Sequence, residues 1–354
     1  MKSIDQEFTQ AVMTWFSENQ RDLPWRKDQD PYHIWVSEIM LQQTRVEAVR
    51  EYYRRWMEAL PTVRDLAESE EETLLKLWQG LGYYNRVRNM QKAAKIIMEE
   101  HDGKFPGQYD EIRKLPGIGD YTAGAISSNC FDERVAAIDG NVLRVMSRLT
   151  EDDSDILKQS TRRRYAQMLA EIYPPKDCGK FTQGMIEIGA IVCVPNGLPK
   201  CDICPIHAFC GAAAHRTFTR YPVKAAKKER KLIEMTVFIL QCGDKIAVQK
   251  RGAKGILAGL YQYPNLERRL TAAQAMQQAE AWGCMPTGLQ RQSEYKHIFT
   301  HVEWYMTGYY ITCDSETDGP AQDWIWADAA QMEAEIPLPS AFQYFRGRIC
   351  PRFD

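Results

Sequence analysis

The spacing of four cysteines constrains this chain more than any other feature of its sequence. Cys193, Cys201, Cys204 and Cys210 lie within eighteen residues, whereas the other six cysteines are scattered singly. Four thiolates so close together can surround one metal centre, and ligation by thiolates alone suits an iron–sulfur cluster or zinc. Structural zinc sites more often show two C-x2-C pairs, and this segment has one. The spacing therefore favours iron–sulfur and leaves zinc as the alternative, ahead of unligated thiols or disulfides.

Length and composition predict a soluble protein of two domains. A chain of 354 residues suits two separate cores, and its contents of 44% hydrophobic and 26% charged residues are ordinary for a globular protein. No run of eighteen apolar residues is present, so we expect no membrane span. The polar start MKSIDQEFTQ lacks an apolar signal core. Together with the cysteine cluster, this start predicts a reducing cytoplasmic location.

The two halves of the chain differ in their apolar pattern. In residues 1–215 apolar side chains recur at intervals of three or four, as at Leu74, Leu77, Trp78 and Leu81, and this spacing predicts a helical domain. Short strand-like runs follow in residues 232–354, interrupted by one helical stretch, and they predict an α+β domain with an antiparallel or mixed sheet. The predicted strands cover residues 235–242, 245–251, 304–313 and 323–327, and the helix covers 271–282.

A basic segment separates the two predicted domains. Residues 216–231 contain seven Lys and Arg residues and a single acidic residue, Glu229, although the net charge of the whole chain is −2. We interpret this segment as an exposed linker that could run near a phosphate backbone. A basic linker without any ligand is an equally good interpretation of the same residues.

The segment KLPGIGDYTAGAI, residues 114–126, predicts contact with DNA. Pro116, Gly117 and Gly119 make a tight turn between two helical patterns. Glycines let backbone N–H groups approach a phosphate, and the following helix directs its positive end at the anion. The pattern is that of a helix–hairpin–helix, which anchors a protein on the DNA backbone independently of base sequence.

Two carboxylates are candidate catalytic groups. Asp139 precedes a helical pattern in AAIDGNVLRVMSR, so it could cap that helix, and a capped carboxylate that stays ionised can stabilise positive charge on a substrate. If residues 31–46 are helical, Glu38 lies on an apolar face beside Trp35, which should raise the pKa of Glu38 and suit it to act as a general acid. A purely structural cap and a solvated or paired glutamate are the alternatives.

Taken together, these motifs resemble the helix–hairpin–helix DNA glycosylase superfamily of endonuclease III, and most closely its adenine DNA glycosylase (MutY) family. The motifs WVSEIMLQQT, GLGYYNRVRN, LPGIGDYTAGA, IDGNVLRV and the cysteine cluster follow the family's order and cover most of residues 20–210. The resemblance implies a two-lobed helical domain with a base pocket between the lobes and a [4Fe–4S] cluster on the four cysteines. One departure is the first cysteine gap, VPNGLPK, which has seven residues where the family usually has six.

The resemblance also implies roles for individual residues. Glu38 would protonate N7 of an extruded adenine. Asp139 would stabilise the oxocarbenium-like sugar, or trap it covalently, before water completes hydrolysis, with Asn141 orienting Asp139 or the water. Tyr121 stands where the endonuclease III branch has its Schiff-base lysine, so we expect a monofunctional glycosylase with little or no lyase activity. The residues of this half expected to contact DNA or the base are Arg26, Gln43, Thr44, Leu81, Tyr83, Gly117, Gly119 and Gln183.

The second domain is similar to Nudix hydrolases around GILAGLYQYPNLE, residues 255–267, but the glutamates of the Nudix catalytic box are missing. In the resembled family this domain recognises 8-oxoguanine, partly through a Phe-Ser-His loop. Here Phe299, Thr300 and His301 stand in the matching context, and Thr keeps the hydroxyl donor.

The expected fold is therefore multidomain α and α+β: an all-helical HhH-GPD glycosylase domain with an iron–sulfur loop, then a Nudix-like α+β domain. The expected function is removal of adenine opposite 8-oxoguanine or guanine in double-stranded DNA by a monomer in the cytoplasm, associated with the nucleoid. The alternatives are a G·T thymine glycosylase or an endonuclease III-type enzyme. A non-catalytic DNA-binding module and a nucleotide-pool hydrolase are more remote.

Overall fold

The computed structural model describes residues 4–225, 229–252 and 254–346. The chain forms two compact units: residues 1–68 with 89–226, and residues 69–88 with 227–354. The domain boundaries predicted at 215 and 231 stay a prediction, and residues 226–228 of the predicted linker lie outside the described residues. In the described part of the chain, no helix is both long and apolar enough to cross a membrane.

The described residues up to 225 contain helices and turns and no strand, as the apolar spacing predicts. The α-helices are α1 (Ile4–Asn19), α2 (Pro31–Leu41), α3 (Val46–Ala59), α4 (Val63–Glu68), α5 (Glu71–Leu77), α6 (Asn85–Glu100), α7 (Tyr109–Lys114), α8 (Asp120–Phe131), α9 (Gly140–Leu149), α10 (Gln159–Ile172), α11 (Cys178–Glu187) and α12 (Gly211–Ala214). Short 3₁₀ or π turns cover Pro24–Arg26, Ile188–Val192, Cys201–Ile203 and His207–Phe209.

The core of the first unit forms where α1, α9, α10 and α11 bury their apolar faces. Tyr165 and Phe181 are fully buried in it. Helix α11 approaches α1 closely at Gly184, where an added Cβ would lie 2.6 Å from Cγ1 of Val12. This close packing fixes α11, which carries Gln183, against α1.

Helices α7 and α8 form the predicted helix–hairpin–helix. Gly117 has φ = 79°, which favours glycine, and a Cβ at that position would lie 2.7 Å from Cβ of Asn89. Gly119 is the N-cap residue of α8 and brings no side chain to the turn. Both conformation and space therefore require glycine at Gly117, and the turn presents backbone rather than side chains.

The second unit contains one seven-stranded mixed sheet. Its strands are β1 (Lys231–Cys242), β2 (Lys245–Lys250), β3 (Tyr261–Gln262), β4 (Asn265–Leu266), β5 (Pro286–Ile298), β6 (Val302–Cys313) and β7 (Trp324–Ala327). The main order is β3-β2-β1-β6-β5; β1 and β6 are parallel and the other pairs are antiparallel. The four predicted strands are present, and β5 is an additional strand that apolar periodicity did not reveal.

Helices and a segment from the helical half cover this sheet. Helix α13 (Ala272–Ala281) begins at a capping box of Thr271 and Gln274, and α14 (Ala329–Ala334) and α15 (Ser340–Arg346) follow β7. Residues 69–88, which include α5, belong to this unit: Lys250 Nζ lies 3.0 Å from Oε1 of Glu72, and Gln79 donates to the carbonyl of Leu338. The second unit is thus built from two separate stretches of the chain.

Candidate active site

Glu38 is a buried acid held by a tyrosine from another helix. Its side chain lies on α2, which is buried on nearly all sides, and its own exposure is 5%. The hydroxyl of Tyr121, at the start of α8, donates to Oε2 of Glu38 over 2.5 Å. Burial raises the pKa of Glu38 to about 7; the hydrogen bond from Tyr121 opposes this rise and the charge of Asp139 adds to it. Glu38 can therefore hold a proton near neutral pH.

Asp139 is the N-cap of α9 and accepts three hydrogen bonds. Its Oδ1 accepts from the backbone N–H groups of Asn141 (2.9 Å) and Val142 (2.8 Å), and its Oδ2 accepts from the side-chain amide of Asn141 (2.7 Å). Burial raises the pKa of Asp139 above its ordinary value, against the lowering effect of these three bonds. The cap therefore holds the carboxylate in a fixed orientation and offsets part of the cost of its charge.

Arg144 links this cap to the cysteine segment. Its guanidinium donates to Oδ1 of Asn141 (2.9 Å) and to the carbonyls of Gly189 (2.7 Å) and Cys193 (2.8 Å). Gly189 lies so close that a Cβ there would be 2.5 Å from Cβ of Asn141. The local sequence gives no sign of this role for Arg144, because only the tertiary fold brings residues 189 and 193 to the first turn of α9.

Arg26 and Gln183, both predicted to line the base pocket, are in contact. The Arg26 guanidinium donates to Oε1 of Gln183 (3.0 Å) and to Oε2 of Glu187 (2.9 Å), and its buried Nε–H has no hydrogen-bond partner among the described residues. Burial would raise the pKa of Glu187, but hydrogen bonds from Arg21 and Arg26 outweigh burial and lower it to about 2. Glu187 was also missed, and it fixes Arg26 with an ionised carboxylate.

A groove at the helix–hairpin–helix turn is basic. It has a volume of about 860 Å³, and Gly117, Gly119 and Tyr121 lie in its wall. We call it the turn groove. Its charged lining consists of Arg134, Arg162, Arg163 and Asp120. Three guanidiniums against one carboxylate attract a polyanion. These arginines were missed too, although the run Arg162–Arg164 in the sequence was a usable signal.

A second cavity, of about 400 Å³, has Glu38 in its wall and shares no lining residue with the turn groove. We call it the acid cleft. Arg26 and Gln183 line it together with Glu38, and so do the aromatic rings of Phe16 and Trp25. Tyr121 lines the turn groove and touches Glu38, which lines the acid cleft, so their hydrogen bond stands between the two cavities.

The four clustered cysteines line one further cavity, and all four are free thiols. Arg148, which is buried, donates to Sγ of Cys193 over 3.2 Å, so a positive charge faces the thiols. Within the described ranges no group of three or more His, Cys, Asp or Glu side chains is arranged to hold a metal ion. Four sulfur donors around a cavity, next to a guanidinium, nevertheless suit the chemistry of a thiolate-bound group.

The start of the linker is attached to this region. Arg148 Nε donates to the carbonyls of Phe218 and Tyr221, each over 3.1 Å, and the N–H of Ile156 donates to the carbonyl of Val223. Arg148 therefore connects the linker to the cysteine cavity. Lys224 and Arg220 are exposed, as expected for a basic linker.

In the second unit, Thr300 is joined to Tyr83. The hydroxyls of the two residues lie 2.7 Å apart, and both side chains are exposed. Phe299 packs edge-on against Trp304 at 4.7 Å between ring centroids and holds the β5–β6 hairpin, while His301 is exposed beside Thr300. The structure thus brings together residues that are more than 200 positions apart in the chain.

The remaining predicted contact residues differ in their exposure. Gln43 is exposed with φ = 60° just after α2, and Thr44 beside it is half-buried. Leu81 is buried in the second unit with 6% exposure, so its side chain is not presented to solvent. Contact of Leu81 with the duplex stays a prediction.

Two protein-family models match the chain. Residues 36–171 match the HhH-GPD superfamily of base excision DNA repair proteins, and residues 236–346 match the NUDIX domain. Among solved structures, the chain is similar to a thermostable thymine-DNA glycosylase, with a TM-score of 0.53 and 25% identity over 60% of this chain and 97% of that one. A trapped endonuclease III–DNA covalent intermediate has a TM-score of 0.50 at 24% identity over 61% of this chain and 100% of that one, which supports the fold alone.

Curated relatives are similar over both units. A protein named adenine DNA glycosylase from Buchnera aphidicola (subspecies Schizaphis graminum) is 35% identical over 74% of this chain and 76% of its own length. Proteins of the same name from Arabidopsis thaliana and Homo sapiens are 34% and 29% identical over 84% and 96% of this chain. The chain spans 56% of the length of the Arabidopsis protein and 74% of that of the human protein.

Proposed function

This chain belongs to the adenine DNA glycosylase family, and we propose that it excises adenine paired with 8-oxoguanine, or with guanine, from double-stranded DNA. It is a base excision repair enzyme of the helix–hairpin–helix class. The observation that supports the proposed chemistry best is the presence of two carboxyl groups in different hydrogen-bonding environments. Glu38 is buried with its pKa raised to about 7, and Asp139 is held by three hydrogen bonds at a helix N-terminus.

Glu38 is the general acid in this proposal. The target base is flipped out of the duplex, which costs a few kcal/mol. The Glu38 proton passes to N7 of adenine, so that the N9–C1′ bond can break and the base leaves with both bonding electrons. Tyr121 donates to the other side of the same carboxyl group and holds it in place.

Asp139 stabilises the cationic sugar. The positive charge that develops at C1′ is met by a carboxylate whose orientation is set by Asn141 and Val142. Water then adds to C1′, or displaces Asp139 if a covalent ester forms, and leaves an abasic site. Tyr121 has no amine with which to form a Schiff base, so strand cleavage by β-elimination is weak or absent.

Recognition of the mispair is divided between the two units. The turn groove, with its glycines and three arginines, supports binding of the phosphate backbone. In the second unit the hydroxyls of Thr300 and Tyr83 and the exposed His301 offer hydrogen-bond donors to the 8-oxoguanine strand. The absence of Nudix catalytic glutamates from the sequence argues for recognition rather than pyrophosphate hydrolysis in this unit.

We further propose that Cys193, Cys201, Cys204 and Cys210 bind a [4Fe–4S] cluster, supported by their shared cavity and the facing guanidinium of Arg148. When bound, the cluster would cross-link the segment that Arg144 and Arg148 attach to α9. We propose that the enzyme acts as a monomer in the cytoplasm, associated with the nucleoid.

The test is single-turnover cleavage of labelled duplexes. One duplex has an A·8-oxoguanine pair, and the others have A·G, A·T, G·T and an oxidised pyrimidine, each processed with and without alkali. We expect alkali-dependent breaks at adenine opposite 8-oxoguanine and, more slowly, opposite guanine. Breaks at G·T, or breaks without alkali at the oxidised pyrimidine, would assign the chain to another branch of the superfamily.

A further inference from the structure

The acid cleft has a mouth far from the helix–hairpin–helix turn. Besides Glu38, it is lined by residues at the end of α8 and the start of α11, among them Asn129, Cys130, Asp132 and Lys180. Asp132 is exposed, and Asn129, Cys130 and Lys180 are half-buried. One continuous cavity therefore connects the catalytic acid to solvent at this end of α8.

Helix geometry separates this mouth from the turn groove. Tyr121, in the turn groove, is the second residue of α8, and Cys130 is the eleventh. Nine residues of α-helix span about 14 Å. The N-terminal end of α8 follows the glycine turn, whereas its C-terminal end forms the mouth, so the two openings face opposite ends of one helix.

The mouth is acidic and the turn groove is basic. Three exposed carboxylates, Asp28, Asp132 and Asp177, line the acid cleft, and its basic residues are Lys180 and, deeper beside Glu38, Arg26. A duplex with a negative charge every few ångströms is repelled by such a rim but attracted to the three arginines of the turn groove. A small neutral molecule is not repelled by the carboxylates of the mouth.

The interior of the acid cleft suits a neutral purine. Phe16 and Trp25 supply aromatic surface, and Gln20, Gln29 and Asn129 supply amide donors and acceptors. Its volume of about 400 Å³ lies within the range of roughly 300–1,000 Å³ that small-molecule sites occupy. The buried Nε–H of Arg26, without a partner among the described residues, is one further donor.

We propose that the acid cleft is the exit route of the excised purine base, so that the free base leaves through the acidic mouth while the abasic duplex is still bound at the turn groove. This inference rests on the proposed function. Without such a route the base would stay enclosed between Glu38 and the bound DNA until the duplex dissociated. The mouth residues, above all Lys180, then control the release of the base without taking part in bond cleavage.

The experiment follows the base and the duplex separately. A duplex with ¹⁴C in the target adenine is mixed with excess enzyme, and excision is read from alkali-treated DNA. In parallel, rapid gel filtration separates free label from the protein–DNA complex. We expect free label to appear at the rate of excision and well before the unlabelled abasic strand leaves the protein.

Substitution of Lys180 tests the mouth itself. Lys180→Trp should leave the excision rate within about threefold of the original and slow the appearance of free label at least tenfold. The matched control is Lys176→Trp, which makes the same change at an exposed lysine that does not line the acid cleft. Should Lys180→Trp fail to fold, the smaller Lys180→Phe replaces it, with Lys176→Phe as its matched control.

The outcomes separate the two proposals. Label that stays with the original protein until the abasic duplex dissociates would overturn the exit route. Unchanged label release from a folded Lys180→Trp or Lys180→Phe protein would overturn it as well. An original protein that releases no adenine from any duplex would overturn the proposed function and the exit route together.

Discussion

Replacing Glu38 by Gln should abolish excision and at the same time stabilise the protein at alkaline pH. The amide has nearly the shape of the carboxyl group and can still accept the hydrogen bond from Tyr121, but it has no proton to give at neutral pH. Removing a general acid typically costs 10²- to 10⁴-fold in rate. Binding of the mispaired duplex should be retained, because the turn groove is unchanged.

The stability gain follows from the raised pKa of Glu38. Its pKa is about 7 in the folded protein against an ordinary value of 4.5. A carboxyl group whose pKa is raised by folding binds more protons folded than unfolded, so its contribution to the free energy of unfolding falls as pH rises from 4.5 through 7. At 1.36 kcal/mol per pKa unit, this raised pKa costs the fold about 1 kcal/mol at pH 5, where Glu38 must take up a proton on folding, and about 3 kcal/mol at pH 8, where Glu38 is buried in its ionised form.

The assay is thermal unfolding followed by tryptophan fluorescence, at one fixed scan rate. In a unit of this size 1 kcal/mol corresponds to about 2–4 °C in Tm. Glu38→Gln should therefore raise Tm by about 2–4 °C at pH 5 and by about 6–12 °C at pH 8, taking the same conversion. Glu18→Gln, at an exposed position of α1, is the control for loss of one carboxylate.

The dependence on pH is the decisive part of this prediction. A Tm gain equal at pH 5 and pH 8 would show that Gln improves packing rather than relieving a buried charge. A Tm of Glu38→Gln below that of the original protein at pH 8 would show that the fold stabilises the ionised carboxylate. The assignment of Glu38 as a neutral acid would then be wrong. An active Glu38→Gln enzyme would refute the catalytic role itself.

Three further perturbations test neighbouring groups. In the original enzyme the single-turnover excision rate should fall above about pH 7. The hydrogen bond from Tyr121 lowers the pKa of Glu38, so its removal in Tyr121→Phe should raise that pKa and move the fall in rate to higher pH. An unchanged pH profile would mean that Tyr121 does not affect the pKa of Glu38. Asp139→Asn should cut excision at least about hundredfold with little change in Tm, since Asn is an equally good N-cap; a large drop in Tm would point to a structural role only. If the four cysteines bind the proposed cluster, Arg148→Gln should accelerate loss of the cluster's visible absorbance in the presence of a chelator, because the guanidinium contacts Sγ of Cys193. Arg220→Gln, in the exposed linker, is the control. Equal bleaching rates would refute a stabilising role for this contact.

Local motifs were interpretable from the sequence because their geometry depends on neighbours in the chain. The glycine turn of LPGIG, the cap at Asp139 and the cysteine spacing each follow from residues within a few positions, and the first two are present as predicted. Strand β5, at the edge of the sheet, was not predicted from the sequence. Its polar sequence PTGLQRQSEYKHI alternates between exposed and half-buried positions and so has no apolar periodicity to detect.

Contacts between distant segments could not be obtained from spacing. The hydrogen bond between Glu38 and Tyr121 joins residues 83 positions apart, and that between Tyr83 and Thr300 joins residues 217 positions apart. Nothing in the local pattern of residues 69–88 indicates that they fold with the sheet unit. Such contacts arise from the packing of whole helices and strands.

By itself, then, the sequence determined the helical and α+β halves, the turn at Gly117, the identity of the two carboxylates and the resemblance to a glycosylase family. The tertiary structure alone decided that burial raises the pKa of Glu38, that Arg144 and Arg148 join the helix capped by Asp139 to the cysteine segment, and that the acid cleft is lined by residues at the far end of α8. The physical reason is that a motif depends on chain neighbours, whereas burial, charge environment and cavities depend on every element packed around a residue.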